Sequence, residues 1–407
     1  MSDFPPIERS DWLGAPDGLA PVPGGSVTTP GGFTAGATSC GLKPSGALDL
    51  GILRSVRPVA SWMVDTTNAL PSAPVRLNRT RDRSALHAVV VNAGTANAAT
   101  GSPGLDDARQ MAERAARGLE LDPAHVAVCS TGTIGERVDL GKVLPAIDTA
   151  CAAQDAGNGG EFNRAICTTD RAPKGGAFRL ELPGGDVHIG MAAKGAGMIR
   201  PTMATMLAYL TTDASLLPED IRAVTRRAAE ESFNRISVDG QMSPSDTLLV
   251  IANGQGDPLR GRDLQRFSDA VVAVCRWAAI QMVKDGEGAE HAVRVVVTGA
   301  RDAAEAERVA RAIGESPLVK CAIFGRDPNW GRISQAVGQA LSRTPGVPAD
   351  LGVTLDGLAL SDPGAPQVMA RAEYDVEVSL GRGSGSYALW ASDLTHAYVT
   401  LNAEYRT

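Results

Sequence analysis

The stretch that decides the fold runs from Lys194 to Asp213 and reads KGAGMIRPTMATMLAYLTTD. Its first half is Gly-rich, with Gly195 and Gly197 free to take positive φ, and Pro201 disfavours helix at the residue before it. A bent, irregular backbone is expected up to about Met203. From Met203 onward the residues are small, apolar or threonine, with no charge until Asp213, which suits a buried strand or a buried helical segment. Thr205 therefore stands where an irregular approach becomes packed core. Two readings follow. Scission of the Ala204–Thr205 bond would give the Thr205 hydroxyl a free α-amine as its own base. Alternatively, Thr205 is one more small residue of a core strand, the commoner meaning of such a composition.

Working outward, FRLELPGGDVHIGMAAKG (residues 178 to 195) reads as a hairpin whose Pro-Gly-Gly-Asp turn separates two alternating runs. Downstream, residues 217 to 236 predict a helix with Pro218 near its start, DTLLVIANG (246 to 254) a strand, and residues 263 to 285 a long amphipathic helix. That helix ends at Gly286-Glu287-Gly288, which leaves Glu287 as either a turn residue or a ligand for a cationic group. Upstream, HAVVVNAGTANAATG and VAVCSTGTIG each predict a strand running into a turn of small residues and then a helix. The second turn, Ser130-Thr131-Gly132, offers a hydroxyl and an amide as oxyanion donors, although an ordinary strand-to-helix turn accounts for it equally. Strands LDLGILRS and VASWMVDTT precede these units. After Ala292 come VRVVVTGA, AAEAERVARAI and LVKCAIFG, and the tail, including SYALWASDLTHAYVTLN, reads as strands. Alternating strands and helices followed by antiparallel patterns predict mixed α/β layers.

Composition narrows the classes. With 407 residues, two or three domains or two lobes are expected, and 43% hydrophobic with 21% charged residues is ordinary for a globular protein. The net charge of -7 is spread over interleaved acids and bases without a basic block, which argues against nucleic acid. The six cysteines have no zinc or dithiol spacing, and reduced thiols in a cytoplasmic protein are expected. The first thirty residues, rich in Pro and Gly, read as a loose arm on which Trp12 could still dock. They lack a signal-peptide pattern, and no apolar run in the chain is long enough to span a membrane. The five histidines show no HxH or HExxH spacing, and no GxSxG, Walker A or GxGxxG fingerprint follows a strand. Metal and nucleotide cofactors are therefore not expected, and paired acids such as Asp106-Asp107 read as exposed helix faces.

The central stretch, together with VNAGTANAATG, CSTGTIG, TTDRAPK, SVDG, DGEGA, SPLVKCAIFGRDPNWGRI and DLTHAYVTLNAEYRT, resembles the blocks of the bifunctional ornithine acetyltransferase family, also called glutamate N-acetyltransferases. The blocks follow the family's order and cover nearly everything after about Gly32. The resemblance implies an Ntn-like layered αββα sandwich, α/β (α+β) in class, with a smaller C-terminal α/β lobe. It implies a precursor that cuts itself before Thr205, giving an α chain 1 to 204, of which residues 1 to 30 are the arm and 31 to 204 the N-terminal α/β lobe, and a β chain 205 to 407. The implied reaction moves acetyl from N2-acetyl-L-ornithine to L-glutamate through a Thr205 ester, with no cofactor, in a cytoplasmic α2β2 or larger assembly.

Carried over by position, Thr131 and Gly132 would stabilise the oxyanion, and Thr168, Lys194, Thr205, Glu287, Asn402 and Thr407 would bind substrate. A Lys194 cation suits the α-carboxylate that donor and acceptor share, and Glu287 suits the ornithine ammonium. The chain departs from the family's pattern at Arg200, at residues 241 to 246 (QMSPSD) and at residues 289 to 291 (AEH). These departures leave open a different acyl-amino acid, or use of the same nucleophile by an Ntn-type amidohydrolase or aminopeptidase.

Overall fold

Two sheets packed face to face make the middle of the molecule. The computed structural model describes residues 7 to 200, 206 to 344, 346 and 350 to 404. The first sheet has six strands in the order Leu19–Pro21, Lys174–Leu180, Val187–Lys194, Leu207–Thr212, Thr247–Ala252 and Ala60–Asp65. Neighbours are antiparallel except Leu207–Thr212 and Thr247–Ala252, which run parallel. The second sheet has four strands, Phe33–Thr38, Leu50–Ser55, Ala88–Thr95 and Val126–Thr133, with only the last pair parallel.

The uncharged second half of the central stretch is a strand because both of its faces are covered, the condition under which a continuous apolar run is stable in a sheet. Leu207 and Tyr209 pack with Leu249, Ile251, Val89, Val91 and Ala127 between the two sheets. Ala208 and Leu210, on the opposite face by the strand's period of two, pack with Leu248 and Val250 against Ile221, Phe267 and Val271. Those three belong to the helices Pro218–Glu231 and Gly261–Lys284. Beyond the second sheet, Val90 and Val128 meet Met111, Ala115 and Ile147 of Gly101–Leu119 and Leu140–Ala152. Helix, sheet, sheet, helix is the resulting order, the αββα sandwich that was expected. Burying one such Leu, Ile or Val contributes about 1.5–3 kcal/mol.

A third, six-stranded mixed sheet builds the C-terminal lobe, in the order Ile236–Ser237, Gly385–Ser392, Ala292–Ala300, Glu373–Ser379, Gly352–Leu355 and Leu358–Ala359. Val293, Val295 and Val297 pack there against Val309 and Ile313 of the helix Ala303–Gly314 and Val337 of Trp330–Leu341.

Three local expectations need correction. Residues 7 to 30 are docked, because Leu19–Pro21 pairs with Lys174–Leu180 and Trp12 is 1% exposed, its indole Nε1 donating to Asp375 Oδ1 at 2.9 Å. A buried indole needs such an acceptor, and a carboxylate on the C-terminal sheet supplies it. Thr131 and Gly132 lie in the strand Val126–Thr133 rather than in a turn after it. The last element, His396–Glu404, is a helix where the Tyr, Val and Thr content reads as strand. Its preceding strand stops at Ser392 because Asp393 turns back to accept from Glu290 N at 3.0 Å and to meet His291 Nδ1 at 2.9 Å. Thr395 Oγ1 then accepts from Tyr398 N, an N-cap contact that starts a helix.

Candidate active site

The strand Val187–Lys194 ends at Lys194, where its antiparallel partner is Leu207, two residues beyond Thr205. Lys194 is 2% exposed, and its Nζ donates to Thr131 Oγ1 at 3.1 Å and to Thr168 Oγ1 at 2.8 Å. Burial lowers its pKa, and the nearby Asp170 carboxylate opposes that shift. Asp170 accepts from Gly195 N at 2.7 Å and Thr168 N at 3.0 Å and pairs with buried Lys174, which bridges to Asp285. Against its burial, the Lys174 and Lys194 charges and the Gly195 N–H hold the Asp170 carboxyl well below the usual carboxylate range. Lys194 Nζ is thus held by two hydroxyls, with the Asp170 carboxylate one step behind it.

Beside Lys194 the second sheet supplies Thr131 and Gly132. Gly132 pairs with Gly94 and has φ +128°, and a Cβ there would overlap the Gly94 carbonyl. Only glycine lets the two strand ends approach this closely.

Past Lys194 the chain is irregular as expected, but positive φ falls on Gly195 and on Met198 (φ +55°), not on Gly197. Gly197 serves close approach instead: a Cβ there would lie 2.5 Å from the Glu287 carboxylate oxygens. Glu287 follows the helix Gly261–Lys284, donates its N–H to Ala196 O at 2.9 Å and accepts from Asn402 Nδ2 at 2.8 Å. It is both a turn residue and a group turned inward. Thr131, Gly132, Thr168, Lys194, Glu287 and Asn402 all line one cavity of about 440 Å³. Ala204, Thr205 and Thr407 lie outside the described residues.

Sequence reasoning assigned no role to three groups that shape this cavity. Asp239 lines it and accepts from Met198 N (2.6 Å), Ile199 N (2.9 Å) and Gln241 N (3.0 Å), fixing the irregular approach, while burial raises its pKa. Tyr398 faces Asp239 and Glu287 from the last helix, and Asp170 sets the charge behind Lys194. The quoted blocks SVDG, DLTHAYVT and TTDRAPK contain these residues; their side-chain directions were the missing signal. Among the departures, Gln241, Met242, Ser243, Pro244 and Ser245 line the cavity. His291 is buried against Asp393, and Arg200 pairs with Glu315 at 3.2 Å, so these two face elsewhere. Among the described residues no group of His, Cys, Asp and Glu side chains is placed to hold a metal ion, and no helix is long and apolar enough to cross a membrane.

A cavity at the strand ends of a layered αββα sandwich, with a buried lysine joining two hydroxyls beside a glycine-kinked strand, defines an enzyme of the Ntn-like structural class. The chain belongs to the ArgJ family, whose model matches residues 34–407. It is similar to the arginine biosynthesis bifunctional protein ArgJ of Thermosynechococcus vestitus, 40% identical over 94% of this chain and 98% of that one. The protein of the same description from Symbiobacterium thermophilum is 41% identical over 94% of this chain and 99% of that one. Among solved structures, a chain of the ornithine acetyltransferase of Mycobacterium tuberculosis complexed with ornithine is 33% identical, with a TM-score of 0.42, covering 46% of this chain and 100% of that chain.

Proposed function

We propose that the protein moves an acetyl group from N2-acetyl-L-ornithine to L-glutamate through an acetyl ester on Thr205, after cutting itself between Ala204 and Thr205. The observation that carries this reading is the Lys194 ammonium bridging Thr131 and Thr168 inside the cavity. It provides a cation for a substrate carboxylate next to oxyanion donors, and membership of the ArgJ family favours acyl transfer over hydrolysis.

In the maturation step the Thr205 hydroxyl attacks the Ala204 carbonyl, the peptide nitrogen leaves as the Thr205 α-amine carrying the hydroxyl proton, and water releases the ester. The freed amine has a reference pKa of about 7.7–8.0, near working pH, so it can accept the hydroxyl proton in each later turnover. Attack on the acetyl carbonyl of the donor builds negative charge on its oxygen, which Thr131 and the Gly132 N–H stabilise at about 3–4 kcal/mol per donor. Ornithine leaves with that proton, its side-chain ammonium having been held by Glu287 beside Asn402. Glutamate then binds with its α-carboxylate at Lys194, and its amine takes the acetyl group from the ester. The cut divides the protein into an α chain ending at residue 204 and a β chain 205 to 407, with Thr407 completing the substrate site, in a cytoplasmic α2β2 or larger assembly.

The test uses the purified protein and Thr205→Ala. The wild type resolves into two fragments on a denaturing gel, and Thr205→Ala stays as one chain of 42.2 kDa. With N2-acetylornithine the wild type acetylates glutamate. Acetate release at full rate without glutamate would replace acyl transfer by hydrolysis, and two fragments from Thr205→Ala would refute self-cleavage by that residue.

A further inference from the structure

Lys194 and Glu287, the residues proposed for the substrate α-carboxylate and the ornithine ammonium, stand on different elements. Lys194 closes the strand Val187–Lys194, and Glu287 follows the helix Gly261–Lys284. Asp170, Lys174 and Asp285 do not line the cavity that these two residues share. Behind its wall, Lys174 Nζ pairs with Asp170 at 2.5 Å and also with Asp285, and all three side chains are at most 1% exposed.

Each carboxylate grips the backbone of one end of the site. Asp170 accepts from Thr168 N at 3.0 Å and Gly195 N at 2.7 Å, so it holds the residue after Lys194 and the threonine whose hydroxyl Lys194 meets. Asp285 stands two positions before Glu287 and accepts from Arg171 N at 3.1 Å and Arg171 Nε at 3.0 Å. Its own N–H donates to Gln281 O at 2.9 Å, which anchors it to the end of the long helix. One lysine thereby joins the carboxylate that sets Lys194 and Thr168 to the carboxylate at the root of Glu287.

Stability alone is a weak reason for such an arrangement, because taking ions out of water is costly and apolar residues of similar volume often serve a core as well. What a buried ion network adds is direction and length, since its donors and acceptors are satisfied only in a narrow geometry. Burial works against the Lys174 charge, but Asp170 and Asp285 outweigh it and raise its pKa, so the bridge stays charged at neutral pH.

We propose that Lys174 is a positioning residue that fixes the span between Lys194 and Glu287, and that the site thereby selects its donor by side-chain length: an N2-acyl amino acid with its ammonium at the end of a three-carbon side chain, over homologues one methylene shorter or longer. The inference rests on the substrate roles proposed above for Lys194 and Glu287. A donor carries both charges and must satisfy both residues at once. Glutamate brings no side-chain cation for Glu287 and depends on Lys194 alone. Loosening the bridge lets the two ends shift relative to each other, which relaxes the choice of donor and leaves the acceptor nearly unaffected. A site that registers a single methylene separates such homologues by about 10–200-fold.

The test compares the wild type, Asp285→Asn and the double variant Lys174→Met with Asp285→Asn. The donors are N2-acetyl-L-ornithine and its homologues N2-acetyl-L-lysine and N2-acetyl-L-2,4-diaminobutyrate, with glutamate as acceptor. The double variant removes one buried cation and one buried anion together and leaves Asp170 in place behind Lys194, so its melting temperature should stay close to that of the wild type. The wild type should favour N2-acetylornithine over each homologue by roughly 30-fold or more in kcat/KM. In the double variant that preference should fall about tenfold, with KM for N2-acetylornithine raised about fivefold and KM for glutamate changed by less than about threefold. Asp285→Asn keeps an acceptor for Arg171 N and should move the preference the same way by about threefold, so the result does not hang on the double variant folding. A wild type that uses N2-acetyl-lysine as readily as N2-acetylornithine overturns the proposal. So do variants that keep the wild-type preference, and so does an equal rise in KM for donor and acceptor, the mark of a bridge that only supports the fold. A wild type that moves no acetyl group from N2-acetylornithine to glutamate defeats the proposed reaction itself, a result distinct from these.

Discussion

Lys194 of the six-stranded sheet donates to Thr131 of the four-stranded sheet across 3.1 Å, so the amine that lines the cavity also ties the two central layers together there. Replacing it with methionine keeps the length and apolar stem but deletes both hydroxyl contacts and the charge. Hydrogen bonds to a charged group are each worth about 1.5–3 kcal/mol, so Lys194→Met should lower kcat/KM for N2-acetylornithine by roughly 100-fold. Steady-state kinetics on cleaved protein provides the measurement, and a loss under threefold would remove Lys194 from the substrate site.

Gly197 lies against the Glu287 carboxylate with no room for a methyl group. Gly197→Ala should push Glu287 off Asn402 and raise KM for the ornithine-bearing donor about tenfold, while KM for glutamate changes little. Gly197 has ordinary φ, so alanine adds no backbone strain and the melting temperature should stay within a few degrees. Equal effects on both substrates would show that Glu287 does not read the ornithine side chain.

Lys320 is buried under the third sheet, its Nζ donating to the Ser392 carbonyl and, at 3.2 Å, to Ser392 Oγ. Burial lowers its pKa to about 8 from 10.5. The folded state therefore releases this proton before the unfolded chain does, and between about pH 8 and 10.5 the unfolded state binds more protons. Stability from this group must rise with pH through that window. The melting temperature of wild type relative to Lys320→Met should increase from pH 7.5 to pH 9.5; a constant difference would mean that Lys320 titrates normally.

Trp12 buries its ring and bonds Asp375 on the C-terminal sheet. Trp12→Ala should cost about 3–5 kcal/mol, because a large aromatic volume is vacated and a carboxylate loses its donor. Denaturant unfolding reads this directly, and a change below 1 kcal/mol would mean that the N-terminal segment contributes nothing to stability.

Much of the layered core was legible because its strands carry their own signal. The valines of residues 89 to 91 and the alternation on either side of Pro183-Gly184-Gly185-Asp186 are strand patterns wherever they sit. The helix His396–Glu404 was not legible. Its Tyr398, Val399 and Thr400 favour strand, and what decides against it is Asp393, whose carboxylate reaches back to His291 from 102 positions away in the chain. The site shows the same division. Glu287 between two glycines and the Ser130-Thr131-Gly132 run stood out locally, and Thr168 and Lys194 were assigned by resemblance. Asp239 and Asp246 were given no role, because an isolated aspartate gives no sign of which distant amide it will hold. Met198 N lies 41 residues from the first and Met206 N lies 40 from the second.

The order of the first sheet has a bearing on what a cut before residue 205 can do. Strands Leu207–Thr212 and Thr247–Ala252 are clasped between Val187–Lys194 on one side and Ala60–Asp65 on the other. The strand pair of the second half would lie inside the first like a finger in a closed hand, hydrogen-bonded along both of its margins. Parting them would mean unravelling the molecule's interior, so one broken peptide could yield a new reactive terminus while the architecture stays whole.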